Sequence, residues 1–138
     1  MPPSTDPTEA PFAGPSASEG GDPRVDSVRE RFAAAYLATS APLTESLGAK
    51  LVQQNKLYVR DRIALLFDDG SFVEDGRYAN ALAGDLPADG VVTGRGTVDG
   101  RPAIVIANDP TVKAGSWGAR TVEKIVRATE MAMREELP

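Results

Sequence analysis

An Asp-Gly pair, Asp99-Gly100, stands between two β-rich runs, Val91 to Val98 and, after Arg101-Pro102, Ala103 to Ala107. Both central positions of the tightest antiparallel turn need positive φ, which Asp and Gly tolerate, so the pattern predicts a hairpin. The second run is apolar on consecutive residues, as in a strand buried on both faces of a layered α/β fold. Gly94, Gly96 and Gly100 superficially suggest a dinucleotide fingerprint, but the spacing is one residue too long and a strand follows where a helix is needed.

Beyond Asn108-Asp109-Pro110 comes Thr111 to Gly118, a Gly- and Ser-containing stretch that feeds an amphipathic segment, Arg120 to Glu136. A strand-to-helix turn places free backbone N–H groups at the helix start, where an anion or carbonyl oxygen can be held. A glycine that only reverses the chain is the bland alternative. In the amphipathic segment Val122, Ile125, Val126, Thr129 and Met133 share one face, read as core. Glu123/Arg127 and Glu130/Arg134 are spaced as helix-supporting pairs.

Upstream, Val25, Val28, Phe32 and Tyr36 recur at helical spacing, with Asp22-Pro23 as a start signal and Ser40-Ala41-Pro42 as a stop. A weaker helical segment runs from about Leu43 to Gln54 on Leu43, Leu47 and Leu51. The second half of Asn55 to Phe67 predicts a short helix presenting Ile63, Leu66 and Phe67 to a core. Asp68-Asp69-Gly70-Ser71 ends it as a solvated turn, since one acidic pair lacks the spaced carboxylates of a calcium loop. Ser71 to Glu74 reads as a short strand and Asp75 to Pro87 as loop.

With 138 residues, one domain is the working count. Residues 1–23 hold six prolines and no Leu, Ile or Val, and carry Asp6, Glu9, Glu19 and Asp22 without a basic residue. Such a tail cannot offset its ordering entropy and is expected to be disordered, a partner-binding tail centred on Phe12 being the alternative. It also supplies most of the net charge of −5, leaving a nearly neutral body without the basic stripe that nucleic acid requires. Membrane-surface binding is disfavoured for the same reason. No run approaches the ~20 apolar residues of a membrane helix, and no signal peptide is evident, so a cytoplasmic protein is expected. With no Cys and no His, the usual zinc sites, Ser-His-Asp triads and Cys-His pairs are excluded for this chain alone.

Several blocks together carry a resemblance. Lys56-Leu57 with Arg60-Asp61-Arg62-Ile63 comes first, followed by Asp69-Gly70-Ser71-Phe72-Val73-Glu74. Asp89-Gly90-Val91-Val92-Thr93-Gly94 with Gly96-Thr97-Val98 and Gly100-Arg101 follows, then Asn108-Asp109 with Thr111-Val112-Lys113 and Gly115-Ser116. In order and spacing, the chain from Asn55 onward resembles the N-terminal part of the carboxyltransferase (beta) subunits of biotin-dependent acyl-coenzyme A carboxylases, the propionyl-, acetyl- and methylcrotonyl-coenzyme A group.

The resemblance implies an α/β, partial crotonase-like fold of ββα units, preceded by N-terminal helices and the tail, with residues 24–138 as a truncated carboxyltransferase domain. It implies an enzyme that moves carboxylate from carboxybiotin, held on a separate carrier protein or domain, to the α-carbon of an acyl-coenzyme A. Backbone N–H groups stabilise the enolate in such a site, and protein side chains do little covalent work. Those donors would lie beyond Pro138, so catalysis by this chain alone is not expected. The implied partners are acyl-coenzyme A, a biotin carboxylase or carrier subunit and further copies of the chain, with no metal.

Lys113 is the expected phosphate or pantetheine contact, Gly115 and Ser116 would provide backbone approach at the helix start, and Trp117 would shield the acyl group or pack on the hairpin. Ala114 replaces the first Gly of the family's turn, and Tyr58 stands where a helix-capping Thr is usual. A non-catalytic acyl-coenzyme A-binding or assembly module, a truncated paralogue, is the alternative reading.

Overall fold

The computed structural model describes residues 23–40, 43–82 and 89–138; the tail, the Asp22 start signal, Ala41-Pro42 and residues 83–88 of the loop lie outside them. Three helices, α1 (Pro23–Thr39), α2 (Glu45–Gln53) and α3 (Val59–Leu66), precede three strands, β1 (Val73–Asp75), β2 (Val91–Val98) and β3 (Arg101–Asn108). A short turn then leads into helix α4 (Ala119–Glu135). The strands form one antiparallel sheet in the order β1-β2-β3. Val98 pairs with Arg101, and Asp99 and Gly100 take φ of 50° and 73°, so the hairpin forms where its turn residues place it.

One face of the sheet carries α3. Val59, Ile63 and Phe67, four residues apart, stack along one side of the helix and its end, and they pack against Val92 and Ala107. Leu66, expected in this core, is half exposed, because it falls off that four-residue row and Val59 completes it. The Phe67 and Phe72 rings stack at 5.4 Å between centroids. They lie directly on β2: a Cβ at Gly96 would come within 2.6 Å of Phe67, and one at Gly94 within 2.6 Å of Phe72. These glycines make room for aromatic rings, each contributing about 1.5–3 kcal/mol by burial.

The opposite face carries α4, turned differently from the expectation. Its docking residues are Thr121, Lys124 and Ala128, while Val122 and Val126 are each 48% exposed and Met133 is 75% exposed. The periodicity correctly marks a helix but selects the wrong face, because Thr121 and Lys124 bury against polar partners that hydropathy does not register. Glu123 accordingly pairs with Arg120 at 2.7 Å and Arg127 reaches Asp75 at 2.9 Å, in place of the pairing four apart.

Burial of β3 on both faces is also not realised. Ala107 is buried, but Ala103, Ile104 and Val105 are half-buried and Ile106 is exposed. Among the described residues no strand pairs with the outer edge of β3, where the Ile104 N–H donates to the Pro138 carbonyl at 2.9 Å.

Helix α1 forms as the spacing predicts, yet Val25, Val28 and Phe32 remain exposed. Its far end is anchored by charge: the Arg77 guanidinium sits 3.8 Å over the Tyr36 ring and donates to Ser40 Oγ. Helix α2 starts on Thr44, whose Oγ1 accepts from the Leu47 N–H, and it buries Leu51. Tyr58, ahead of α3, makes no side-chain cap.

Candidate functional site

The turn between β3 and α4 is built from its flanks inward. Asp109, 2% exposed, accepts from the Thr111 N–H at 2.9 Å and the Thr111 hydroxyl at 2.6 Å, and its own N–H donates to the Gly90 carbonyl at 2.8 Å. Val112 is buried just beyond. Lys113, Ala114 and Gly115 then take φ of 43°, 55° and 76°, three left-handed residues in succession. Two are not glycine, and that conformation costs about 1–2 kcal/mol per L-residue, so the surroundings must hold it. Gly90 is the seat: a Cβ there would lie 3.1 Å from the Ser116 carbonyl oxygen and 3.4 Å from Gly115 Cα.

The turn gathers the sequence-derived site residues on one surface. Lys113, Ala114, Ser116 and Trp117 are exposed and Gly115 is half-buried. Their backbone does not act as expected, however. The Gly115 N–H donates to Val112 O at 2.8 Å and the Ser116 N–H to Lys113 O at 3.0 Å, and α4 begins only at Ala119. Those two N–H groups are therefore satisfied inside the turn, and the open donors of the helix start lie in its first turn, after Gly118. Trp117 is 57% exposed, and its Nε1–H donates to Asn108 Oδ1 at 3.0 Å, at the end of the hairpin strand β3.

Beneath the turn runs a buried polar chain. The Gly118 N–H donates to Thr121 Oγ1, and that hydroxyl donates to Asp89 Oδ1 at 2.7 Å. Lys124 Nζ lies 2.9 Å from Asp89 Oδ2 and donates to the Val91 carbonyl. Oδ2 has this ammonium as its counter-charge and no directed hydrogen bond, so the contact is ionic in character. The lysine and aspartate side chains are only 6% and 5% exposed, and the Lys124 stem crosses Gly76, where a Cβ would meet its Cγ at 3.0 Å. The residues that hold the site, Asp89, Gly90, Asp109, Thr121 and Lys124, were not singled out from sequence as functional. Thr121 carried a signal as a hydroxyl three residues after Gly118, but nothing local marks Lys124 as buried.

A second network joins α1, α3 and β1. Arg60 grips Glu74 with two hydrogen bonds, 2.8 and 3.3 Å, and Arg77 adds a third at 3.0 Å. Burial disfavours the Arg60 cation, yet Glu74 and then Tyr58 together outweigh it and hold the guanidinium above its ordinary value. Burial likewise pushes the Tyr58 hydroxyl up. A concavity of about 200 Å³ opens beside this network, lined by Arg60, Ile63, Phe67, Asp68 and Phe72, and does not include the turn.

Among the described residues no group of His, Cys, Asp or Glu could hold a metal ion, and no helix is long and apolar enough to cross a membrane. The Lys113–Trp117 surface presents an exposed lysine and an exposed indole side by side on one turn.

Residues 50–138 match the family model of the carboxyl transferase domain. The chain is 52% identical over 86 residues to the uncharacterized carboxylase YngE of Bacillus subtilis, an alignment spanning 62% of this chain and 17% of that protein. It is 42% identical over 102 residues to the propionyl-CoA carboxylase beta chain of Saccharopolyspora erythraea, spanning 69% and 19%. Its fold superposes on the transcarboxylase 12S subunit, solved as a hexamer with methylmalonyl-coenzyme A, with a TM-score of 0.69 at 33% identity over 80% of this chain and 23% of that one. The chain thus spans about a fifth of the length of these relatives. Its hairpin, turn and helix make the ββα arrangement of a crotonase-like α/β fold. With the match running from α2 through α4 and the solved relative sharing the layout, the chain belongs to the carboxyl transferase domain family.

Proposed function

We propose that this chain forms the N-terminal part of an acyl-coenzyme A carboxylase carboxyltransferase unit and contributes one wall of its acyl-coenzyme A site, with Lys113, Ala114, Gly115, Ser116 and Trp117 as contacts. The observation that carries the reading is the left-handed turn, which holds the Lys113 ammonium at the surface just ahead of the α4 N-terminus in a chain of this family. Lys113 holds a phosphate or the pantetheine arm, and the first-turn N–H groups of α4 add to the positive potential there. Residues 24–138 are read as the carboxyltransferase portion and 1–23 as a tail, in a cytoplasmic homo-oligomer served by a biotin carboxylase or carrier partner.

Biotin on that carrier supplies the carboxylate. The concavity beside α3 is lined by Arg60, which is tied to Glu74, by Asp68, which is tied to the hairpin, and by the stacked Phe67 and Phe72, and it lies away from the turn, so it does not fit the biotin ring. Their part is to bind and orient the thioester.

Calorimetric titration with coenzyme A tests the reading. Wild type should give a saturable heat, and Lys113→Ala should weaken affinity about tenfold to a hundredfold, the loss of a charge-assisted bond worth ~1.5–3 kcal/mol. Absence of heat at millimolar ligand would end the claim. Carboxylation by these 138 residues alone, supplied with biotin carboxylase, carrier and acyl-coenzyme A, is not expected.

A further inference from the structure

Trp117 is the single tryptophan of the chain and stays 57% exposed, yet its one polar edge is committed to Asn108 Oδ1 at 3.0 Å. The two residues flank a loop that is itself pinned by buried Asp109 and Val112, so the indole is held by its edge while more than half of the residue stays exposed. Both partners are exposed, where a hydrogen bond adds little to folding and immobilising a large side chain costs entropy. A flat ring fixed on the same turn as an exposed ammonium suits a nucleotide, the ring stacking on the base and the cation meeting its phosphates.

We propose that Asn108 is a positioning residue that locks Trp117 as a stacking platform for the adenine of coenzyme A, while Lys113 takes the phosphates. The proposal rests on the acyl-coenzyme A reading above and adds to it which part of the ligand meets the ring, and the residue that sets the ring. Asn108 acts through Trp117 and touches no ligand itself.

Trp117 fluorescence reports directly. Titration of the full chain with coenzyme A and with adenosine 3′,5′-bisphosphate should quench it saturably, and pantetheine should not. Asn108→Ala should lower the anisotropy of Trp117 and weaken coenzyme A binding about tenfold, with an unchanged melting temperature showing that the fold is intact. In a Trp117→Phe background, which keeps a ring but lacks the indole N–H, Asn108→Ala should have no further effect on affinity measured by calorimetry, an outcome a merely structural asparagine would not give. Quenching by pantetheine but not by the bisphosphate would overturn the adenine assignment and leave the acyl-coenzyme A reading standing. Heat on coenzyme A binding without a fluorescence change would do the same. Neither heat nor quenching would remove both.

Discussion

Removing the Lys124 ammonium would leave the Asp89 carboxylate buried with the Thr121 hydroxyl as its hydrogen-bond donor. Breaking one side of such a pair typically costs about 3–5 kcal/mol, whereas replacing both charges by apolar groups is often neutral. Lys124→Met should therefore destabilise the chain by that amount in urea unfolding, and Lys124→Met with Asp89→Leu should recover most of the loss. Recovery would show that charge balance, and not the lysine stem, is what the site depends on. Because Gly90, next to Asp89, seats the Lys113–Gly115 turn, the single substitution should also loosen the surface where ligand is proposed to bind.

At the scale of elements, the hairpin is clamped from outside. Asp68 Oδ2 accepts from the Thr97 hydroxyl at 2.6 Å and the Gly100 N–H at 2.9 Å, and Oδ1 accepts from the Asp99 N–H at 3.0 Å. The Thr97 hydrogen bond, then those from the hairpin backbone, hold its carboxyl below the usual carboxylate range. A depressed folded-state pKa gives stability that is complete above the unfolded value of about 3.9 and is lost as pH falls through the folded one. The melting temperature followed by circular dichroism should thus drop on acidification below about pH 4, and Asp68→Asn should lower it at neutral pH and flatten that drop.

The sequence showed Asp68 as part of a solvated stop, since its partners lie about thirty residues away along the chain. The hairpin itself was legible because Asp99-Gly100 encodes its turn locally, and α1 to α4 were legible from spacing and stop signals. The docking face of α4 was not, since it is set by Asp89 and Val91 across the fold. At the candidate site, Lys113 to Trp117 were legible as neighbours in sequence. The left-handed path that satisfies the Gly115 and Ser116 N–H groups was hidden, because Lys113 and Ala114 are not residues that advertise positive φ.

For the molecule as a whole, the sheet is layered between α3 and α4, while Val122, Val126 and Met133 of α4 and Ile106 of β3 face outward. An apolar helix face of this kind favours association. Light scattering of these 138 residues should show mass rising with concentration, and Val126→Glu with Met133→Lys should suppress the rise without lowering the melting temperature. The outer edge of β3 has a further consequence. Since the Ile104 N–H points away from β2 to Pro138, alternation along an antiparallel strand turns those of Ala103, Val105 and Ala107 toward β2 and that of Ile106 outward. Deuterium should consequently enter β3 in an alternating rhythm, slow at the inward amides and fast at Ile106, and Ile104 should keep its hydrogen only while Leu137-Pro138 stays docked, so that this one amide times the detachment of the segment after α4.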